Sequence, residues 1–324
     1  MKYSVMSNAA WMISEKFVSI FGVIFVTSYV AKSFGPTVFG QMSFSASLFS
    51  VVQTIAIFGT ETILFKRISK SAQKGVRLMT IAKKLRLSLL LLISLPLLVW
   101  MYYHMRENYL AFAMASFLSA LFVTQDTFSV FNNARLASRL NTLANTAGML
   151  LSFAISFSVA WLKLNPLWLT LSIVALTLVP YMIKRRTFYQ RFSDEAPPRG
   201  KSGNYLRYLI YAGLPLAISS IFISIQIKLA QFFLVSVGTA KDVGLFTAAN
   251  MISASWIFIP AAIITSSFTE IFREQSERAL KLTARLNGYV MVVSLLMLLI
   301  VSLYGEKIII TLYGQDYTQS GSII

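Results

Sequence analysis

Residues 87–103 read LSLLLLISLPLLVWMYY, a run of seventeen residues without a charged side chain. An α-helix crosses the roughly 30 Å hydrocarbon core of a bilayer with about 20 mostly apolar residues. The run ends with Trp100, Tyr102 and Tyr103, and such aromatic side chains concentrate at the membrane–water interface. The stretch is therefore predicted to be a transmembrane helix that ends at a membrane surface.

Comparable apolar runs recur along the 324-residue chain, which is 56% hydrophobic and 13% charged. Soluble domains average about a quarter charged residues, so this chain has too few charges to cover a globular surface. The runs are too long and too uniformly apolar for a barrel, which leaves helices as the spanning structure. We predict an all-α polytopic membrane protein with about nine spans. The predicted spans cover residues 9–31, 41–65, 87–103, 109–131, 140–161, 166–183, 208–236, 243–268 and 287–304.

The formal charge of +17 is unevenly distributed between the predicted loops. With the N-terminus in the cytoplasm, 22 of the 29 lysines and arginines fall on the cytoplasmic side, mostly in the loops 66–86 and 184–207. Basic residues prefer cytoplasmic loops, so this orientation is predicted. The excess charge then faces anionic membrane lipids, and nucleic acid is not a predicted partner.

Several chemistries are disfavoured by the residue inventory. The chain has no cysteine and one histidine, His104, and we find no GxSxG or P-loop motif. We therefore predict that it is not an enzyme, and we predict no catalytic residues, no metal site and no cofactor.

An internal repeat relates the first and seventh predicted spans. FGPTVFG at 34–40 has a counterpart in VG at 237–238 followed by DVGLFTAA at 242–249, an offset of about 203–204 residues. Both copies leave the membrane on the outer side, and parallel repeats of this kind build transporters with a site between the halves. We predict two parallel six-helix repeats at 1–186 and 208–324, joined by a cytoplasmic linker at 187–207. The second repeat is predicted to be incomplete, with about three helices, and the chain to be truncated at its C-terminus.

Three segments carry a resemblance to a known family. They are AKSFGPTVFG (31–40), AGLPL (212–216) followed by DVGLFTAAN (242–250), and LYGQDY (312–317). In order and spacing they resemble the polysaccharide biosynthesis or O-antigen flippases, which belong with the MATE-type transporters in the MOP superfamily. One departure is Ala230, which stands where the family often has an aspartate, whereas Lys228 and Gln231 match.

The resemblance implies a function and partners. It implies a MATE-like bundle in the bacterial inner membrane that flips an undecaprenyl-diphosphate-linked oligosaccharide by alternating access, for lipopolysaccharide biosynthesis. The lipid-linked oligosaccharide is then the substrate, and polysaccharide polymerase and chain-length machinery are implied partners. A second hypothesis is a cation or drug antiporter of the same fold, which needs acidic residues in the cavity. A third, a membrane glycosyltransferase or polymerase, would need longer outer loops than this chain has.

Lys228 is the sharpest candidate for a binding residue, because a charge inside a span costs about 3 kcal/mol. It is expected to line a central cavity and bind the diphosphate. The alternative is that its ammonium group extends to the outer interface. Four polar residues are predicted to lie in the same cavity. They are Gln125, Gln226, Gln231 and Asn250.

Three acids are candidates for ion coupling or for the cavity wall. Glu15 is predicted to pair with a base on another helix and its neighbour Lys16 to line the inner vestibule, or both lie at the interface. Glu61 couples an ion or pairs with nearby bases. Asp126 carries a proton or sodium ion, or pairs with Lys228 or Arg135. The polar face of span 4 that carries this acid is expected to look into the cavity.

Three arginines stand at the inner ends of predicted spans. They are Arg67, Arg135 and Arg139. One hypothesis is a funnel that receives a diphosphate from the inner leaflet. The other is ordinary anchoring by positive charge on the cytoplasmic side.

Overall fold

The computed structural model describes residues 11, 14–105, 107–192, 203–257, 260 and 276–322. Over these ranges every regular element is helical. The α-helices are α1 (Ser14–Ile57), α2 (Thr60–Lys70), α3 (Ala72–His104), α4 (Glu107–Gln125), α5 (Thr127–Ala134), α6 (Ser138–Trp161), α7 (Leu169–Arg191), α8 (Gly203–Val237), α9 (Ala240–Ser255) and α10 (Ser276–Tyr313). Short 3-10 helices cover Pro166–Trp168 and Gln315–Ser322.

Helix α1 is bent so that it contains the first two predicted spans. Its 44 residues would reach about 66 Å if straight, at 1.5 Å per residue. Gly35 breaks the helix with φ 77° and ψ 169°, a conformation that other residues rarely adopt, and Pro36 follows it. Ile24 and Ser47 would be about 35 Å apart in a straight helix, yet both line one cavity. The two arms of α1 therefore turn toward each other at the predicted glycine turn.

Among the described residues, seven helical stretches are long and apolar enough to cross a membrane. Side chains such as Leu92, Phe222 and Leu298 are 65–70% exposed, which suits a surface that faces lipid. The first stretch contains predicted spans 1 and 2 in one helix, and predicted span 8 is described only to residue 257. The all-α membrane architecture is thus confirmed. The count of nine spans stays a prediction.

Two predicted loops are largely helical, which corrects their boundaries. Within 66–86, Ser71 alone separates α2 from α3, and α7 continues to Arg191, five residues into the predicted linker at 187–207. Residues 193–202 of that linker lie outside the described residues. The error arose because charged residues were taken as loop residues. The α2–α3 turn, α5 and the C-terminal part of α7 lie together, and we call this region the basic end.

A close crossing joins α1 to α9 through two glycines. A Cβ on Gly40 would lie 1.8 Å from the carbonyl oxygen of Ala240, and a Cβ on Gly244 would lie 1.9 Å from that of Pro36. A shift of 204 positions turns one contact into the other, since it relates Gly40 to Gly244 and Pro36 to Ala240. Reciprocal contacts of this kind are what a two-fold axis between parallel repeats predicts.

The three segments that carry the sequence motifs meet in one apolar cluster. The cluster contains Ala31, Phe39, Leu245, Ala248, Ile309, Tyr313 and Tyr317. The hydroxyl of Tyr317 donates to the carbonyl oxygen of Ala31 at 3.1 Å. The hydroxyl of Ser320 donates to the carbonyl oxygen of Leu245 at 2.9 Å. Burial raises the pKa of Tyr317, which keeps the phenol protonated as a donor. The motifs therefore stabilise the junction of α1, α9 and the C-terminal 3-10 helix.

Candidate functional site

A cavity of about 740 Å³ lies between helices of the two predicted halves. Both arms of α1 line it, together with α4, α6 and α7 from the first half and α8 and α9 from the second. Its volume is within the range of about 300–1,000 Å³ that is usual for small-molecule sites. Transporters built from parallel repeats bind their substrates in such a position, between the halves.

The cavity wall is mainly apolar, with scattered polar side chains and almost no charge. Among the described residues, ten serines line it, together with threonine, glutamine and asparagine side chains. Within the described part of the chain, Lys228 is its one ionisable lining side chain, and no acid lines it. The wall therefore offers many hydrogen-bonding groups and one positive charge.

Lys228 lies on α8, nine residues before the helix ends at Val237. The side chain is half-buried, and within the described ranges its ammonium group has no hydrogen-bond or ion-pair partner. A cation inside a membrane span costs about 3 kcal/mol unless water or an anion solvates it. The charge is thus available to a ligand in the cavity.

Gln231 joins three helices next to this lysine. Its Oε1 accepts a hydrogen bond from Ser47 of α1 at 2.5 Å, and its Nε2 donates to Thr247 of α9 at 3.0 Å. The side chain is 4% exposed, so both bonds are shielded from water. This network fixes the face of α8 that carries Lys228. Asn250, one turn after Thr247, also lines the cavity.

Most of the other predicted site residues lie outside the cavity. Five of them, none of which lines it, are Lys16, Glu61, Arg67, Arg139 and Gln226. Glu61 is exposed in the first turn of α2, and the guanidinium of Arg139 lies 5.2 Å from the centre of the Trp11 ring. Glu15 accepts a hydrogen bond from Asn145 of α6 at 2.7 Å, an amide where a base was predicted.

The predicted polar face of span 4 at Gln125 and Asp126 lies outside the cavity, although Ser116 and Ser119 of the same helix line it. Asp126 separates α4 from α5 and caps α5, where its carboxylate accepts from the Ser129 backbone N–H at 3.1 Å. Its ion pair is with Lys184 at 2.7 Å, rather than with Lys228 on the cavity wall. Gln125 donates to the carbonyl oxygen of Lys83 at 3.2 Å. Both residues lie at the basic end because α4 ends there, and Arg135, exposed after α5, does not line the cavity.

The sequence reasoning missed a buried and a half-buried cation at the basic end. Arg86 is completely buried, and it donates to the Thr60 hydroxyl at 2.8 Å and to the carbonyl oxygen of Thr124 at 3.1 Å. The ammonium group of Lys83 lies 3.6 Å from the centre of the Phe128 ring. The sequence contained one signal that could have identified them, which is their spacing. Residues 83 and 86 continue the helical intervals of three and four that begin with the apolar residues 76 and 79.

A family model described as "Polysaccharide biosynthesis protein" matches residues 5–269. This chain belongs to that polysaccharide biosynthesis protein family. The match confirms the family that the three sequence motifs resemble. A search of curated proteins found no match.

Two solved structures are similar to this member of the family. One is described as the inward-facing conformation of a multidrug resistance MATE family transporter of the MOP superfamily, with a TM-score of 0.65 at 14% identity. The aligned region covers 95% of this chain and 74% of the transporter chain. The other is MATE in the bent conformation, with a TM-score of 0.54, 14% identity and coverages of 98% and 76%. At these identities the similarity shows the fold alone.

Family and fold agree on a class of protein. The polysaccharide biosynthesis chain is a multi-pass membrane protein with a MATE-like helical bundle, and both its family and its fold are of the transporter or flippase type. The central cavity is therefore the candidate site for whatever the protein carries.

Proposed function

We propose that the protein flips an undecaprenyl-diphosphate-linked oligosaccharide, such as an O-antigen unit, across the bacterial inner membrane. The observation that carries this proposal is the cavity wall, where Lys228 has no hydrogen-bond or ion-pair partner among the described residues and is surrounded by neutral hydrogen-bonding groups. A diphosphate supplies the missing negative charge. The neutral hydrogen-bonding side chains of the wall suit the sugars, and the polyprenyl tail stays in the bilayer.

The electrostatics favour such a substrate. Two opposite unit charges 4 Å apart attract by about 4 kcal/mol at an effective dielectric constant of 20. This attraction offsets the cost of about 3 kcal/mol for placing the lysine in the span. The Lys228 site is therefore most stable when an anion occupies the cavity.

The position of the cavity between the predicted halves supports alternating access. We propose that α1–α7 rock against α8–α10 about the crossing of Gly40 and Gly244, so that the cavity opens to each side in turn. The N-terminus and the basic end lie in the cytoplasm. The exposed Arg135 and Arg139 with the half-buried Arg67 receive the diphosphate from the inner leaflet, and other basic side chains bind anionic lipids. Polymerase and chain-length proteins take up the flipped unit.

The second candidate is a cation or drug antiporter, which the MATE fold favours. Such a protein needs acids in its cavity to bind a cation, and the three candidate acids are elsewhere: Glu15 bonds to an amide, Glu61 is exposed and Asp126 pairs with Lys184. Lys228 would repel a cationic drug from the same cavity. The charge of the described wall thus supports the flippase over the antiporter.

A deletion of the gene in its own host tests the proposal. We expect undecaprenyl-diphosphate-linked oligosaccharide to accumulate on the inner leaflet, and reintroduction of the gene to clear it. The leaflet is read from the access of a membrane-impermeant sugar-oxidising reagent in oriented vesicles. No accumulation, together with altered sensitivity to cationic drugs, would refute the flippase and favour the antiporter. An empty vector is the control.

A further inference from the structure

Five serines form one wall of the cavity, on helices other than the one that carries the cavity lysine. Ser116 and Ser119 lie on α4, Ser152 and Ser156 on α6, and Ser172 on α7. The pairs are three and four residues apart, so each pair shares a helix face. Helices α6 and α7 pack against each other, and α4 packs against α7. We call these five residues the serine wall.

Three of these hydroxyls form a hydrogen-bonded group. Ser172 Oγ bonds to Ser152 Oγ at 3.0 Å and to Ser156 Oγ at 2.5 Å. Three hydroxyls have three donors and about six acceptor lone pairs, and the two internal bonds use two donors. One donor and several acceptors thus remain for other partners, and all three serines line the cavity.

The serine wall differs from many other serines of the apolar helices, although Ser94 of α3 is also buried without a partner within the described ranges, away from the cavity. Serines in such helices commonly donate to the carbonyl oxygen four residues earlier, as Ser33 does at 2.8 Å and Ser88 at 3.0 Å. Among the described residues, no serine of the wall makes this bond. Ser116 Oγ has no hydrogen-bond partner in the described part of the chain, although Ser116 is 4% exposed and lines the cavity. A buried hydroxyl without a partner is destabilising, and a ligand that bonds to it removes that cost.

We infer that the serine wall is a sugar-recognition surface. Its hydroxyls exchange hydrogen bonds with the hydroxyls of the carried oligosaccharide, while Lys228 binds the diphosphate from α8. The wall is neutral and offers both donors and acceptors, which is the complement of a polyhydroxyl ligand. The inference rests on the proposed function and adds to it the part of the cavity that selects the glycan.

Alanine substitutions separate recognition from packing, because alanine keeps the small side chain that helix packing needs and removes the hydroxyl. The test variant combines Ser116→Ala, Ser119→Ala and Ser156→Ala. The matched control combines Ser33→Ala and Ser88→Ala, whose hydroxyls are exposed and bonded to their own helix. Two probes are compared in proteoliposomes at sub-saturating concentration. They are undecaprenyl diphosphate with the complete oligosaccharide and undecaprenyl diphosphate with its first sugar only.

With the complete oligosaccharide, the initial flipping rate should fall about fivefold for each lost hydroxyl and roughly a hundredfold for the triple variant. The loss should be much smaller with the single-sugar probe, and the control should match the wild type. The single variant Ser116→Ala is measured as well, in case the triple variant fails to fold. Wild-type rates in the variants, or equal losses on both probes, would overturn the sugar-recognition surface while leaving the flippase intact. A wild-type protein that moves neither probe refutes the flippase and this inference together.

Discussion

Replacement of Gly40 by alanine should separate α1 from α9 and destabilise the protein. The added Cβ would start 1.8 Å from the carbonyl oxygen of Ala240, whereas ordinary contacts begin at 3.4 Å. The helices must move apart by about 1.5 Å, and the obstacle is backbone that no rotamer change can clear. Overpacking typically costs about 1–3 kcal/mol, and we expect the upper end here.

The reciprocal contact makes the double variant diagnostic. Gly244→Ala presses on the same pair of helices, with its Cβ 1.9 Å from the carbonyl oxygen of Pro36. Once the first methyl group has separated the helices, the second should cost much less. Gly40→Ala and Gly244→Ala each lower the free energy of unfolding. The sum of these two losses should therefore be clearly larger than the loss in the double variant.

The assay is thermal unfolding of the purified protein in detergent, with flipping measured in parallel. A loss of about 3 kcal/mol lowers Tm by roughly 6–12 °C in a chain of a few hundred residues. Gly288→Ala is the matched control, because nothing lies within 4 Å of its added Cβ and alanine is the better helix former. If Gly40→Ala is as stable as this control, the close crossing is wrong. Strict additivity of the two crossing variants would refute their shared contact.

Three further predictions concern contacts outside the cavity, and each is measured as Tm in detergent. Asp126→Asn leaves the buried Lys184 cation unpaired and should cost about 3–5 kcal/mol, most of which Lys184→Met restores in the double variant. Thr239→Val removes the capping box of α9 and should lower the free energy of unfolding by about 1 kcal/mol. Hydrogen bonds from the Thr239 side chain and backbone lower the pKa of Asp242, so this stabilisation holds above about pH 4 and is lost as the pH falls through the folded value. Tyr317→Phe loses one buried hydrogen bond and should cost about 1 kcal/mol.

Each of these predictions has a contradicting result. If Asp126→Asn is as stable as the wild type, the carboxylate does not neutralise a buried charge. A Thr239→Val deficit that is unchanged in acid would separate the cap from the charge of Asp242. An unaltered Tm for Tyr317→Phe would mean that water replaces the bond to α1. Ser88→Ala, at an exposed helix position, is the common control.

The sequence predicted the architecture because lipid limits the choice of structure. A backbone in lipid must satisfy its own hydrogen bonds, so long apolar runs such as 87–103 became helices. The turn at Gly35 was readable because its backbone conformation excludes most other residues. The motifs at 31–40, 242–250 and 312–317 were separate in the sequence, and their meeting in one cluster depends on tertiary packing.

The site was less predictable because charged residues were assumed to be exposed in loops. Arg86 and Lys184 were assigned to loops, although helices bury both. Hydrogen bonds to Arg86 and the ion pair of Lys184 with Asp126 depend on contacts between helices, which no local pattern contains. The serine wall was missed for a similar reason, since Ser116 and Ser172 become neighbours of one cavity only after α4 and α7 have packed.

The most direct test of the account is the initial rate at which the purified protein flips undecaprenyl-diphosphate-linked oligosaccharide in proteoliposomes. The rate of the wild-type protein is compared with that of the Lys228→Gln variant. Glutamine keeps a long polar side chain and removes the charge that we assign to the diphosphate. Lys241→Gln, at an exposed position in the first turn of α9, is the control. The account predicts at least about a tenfold loss for Lys228→Gln, since a tenfold change needs only about 1.4 kcal/mol of the attraction. A Lys228→Gln rate equal to that of the wild type and the control would contradict it.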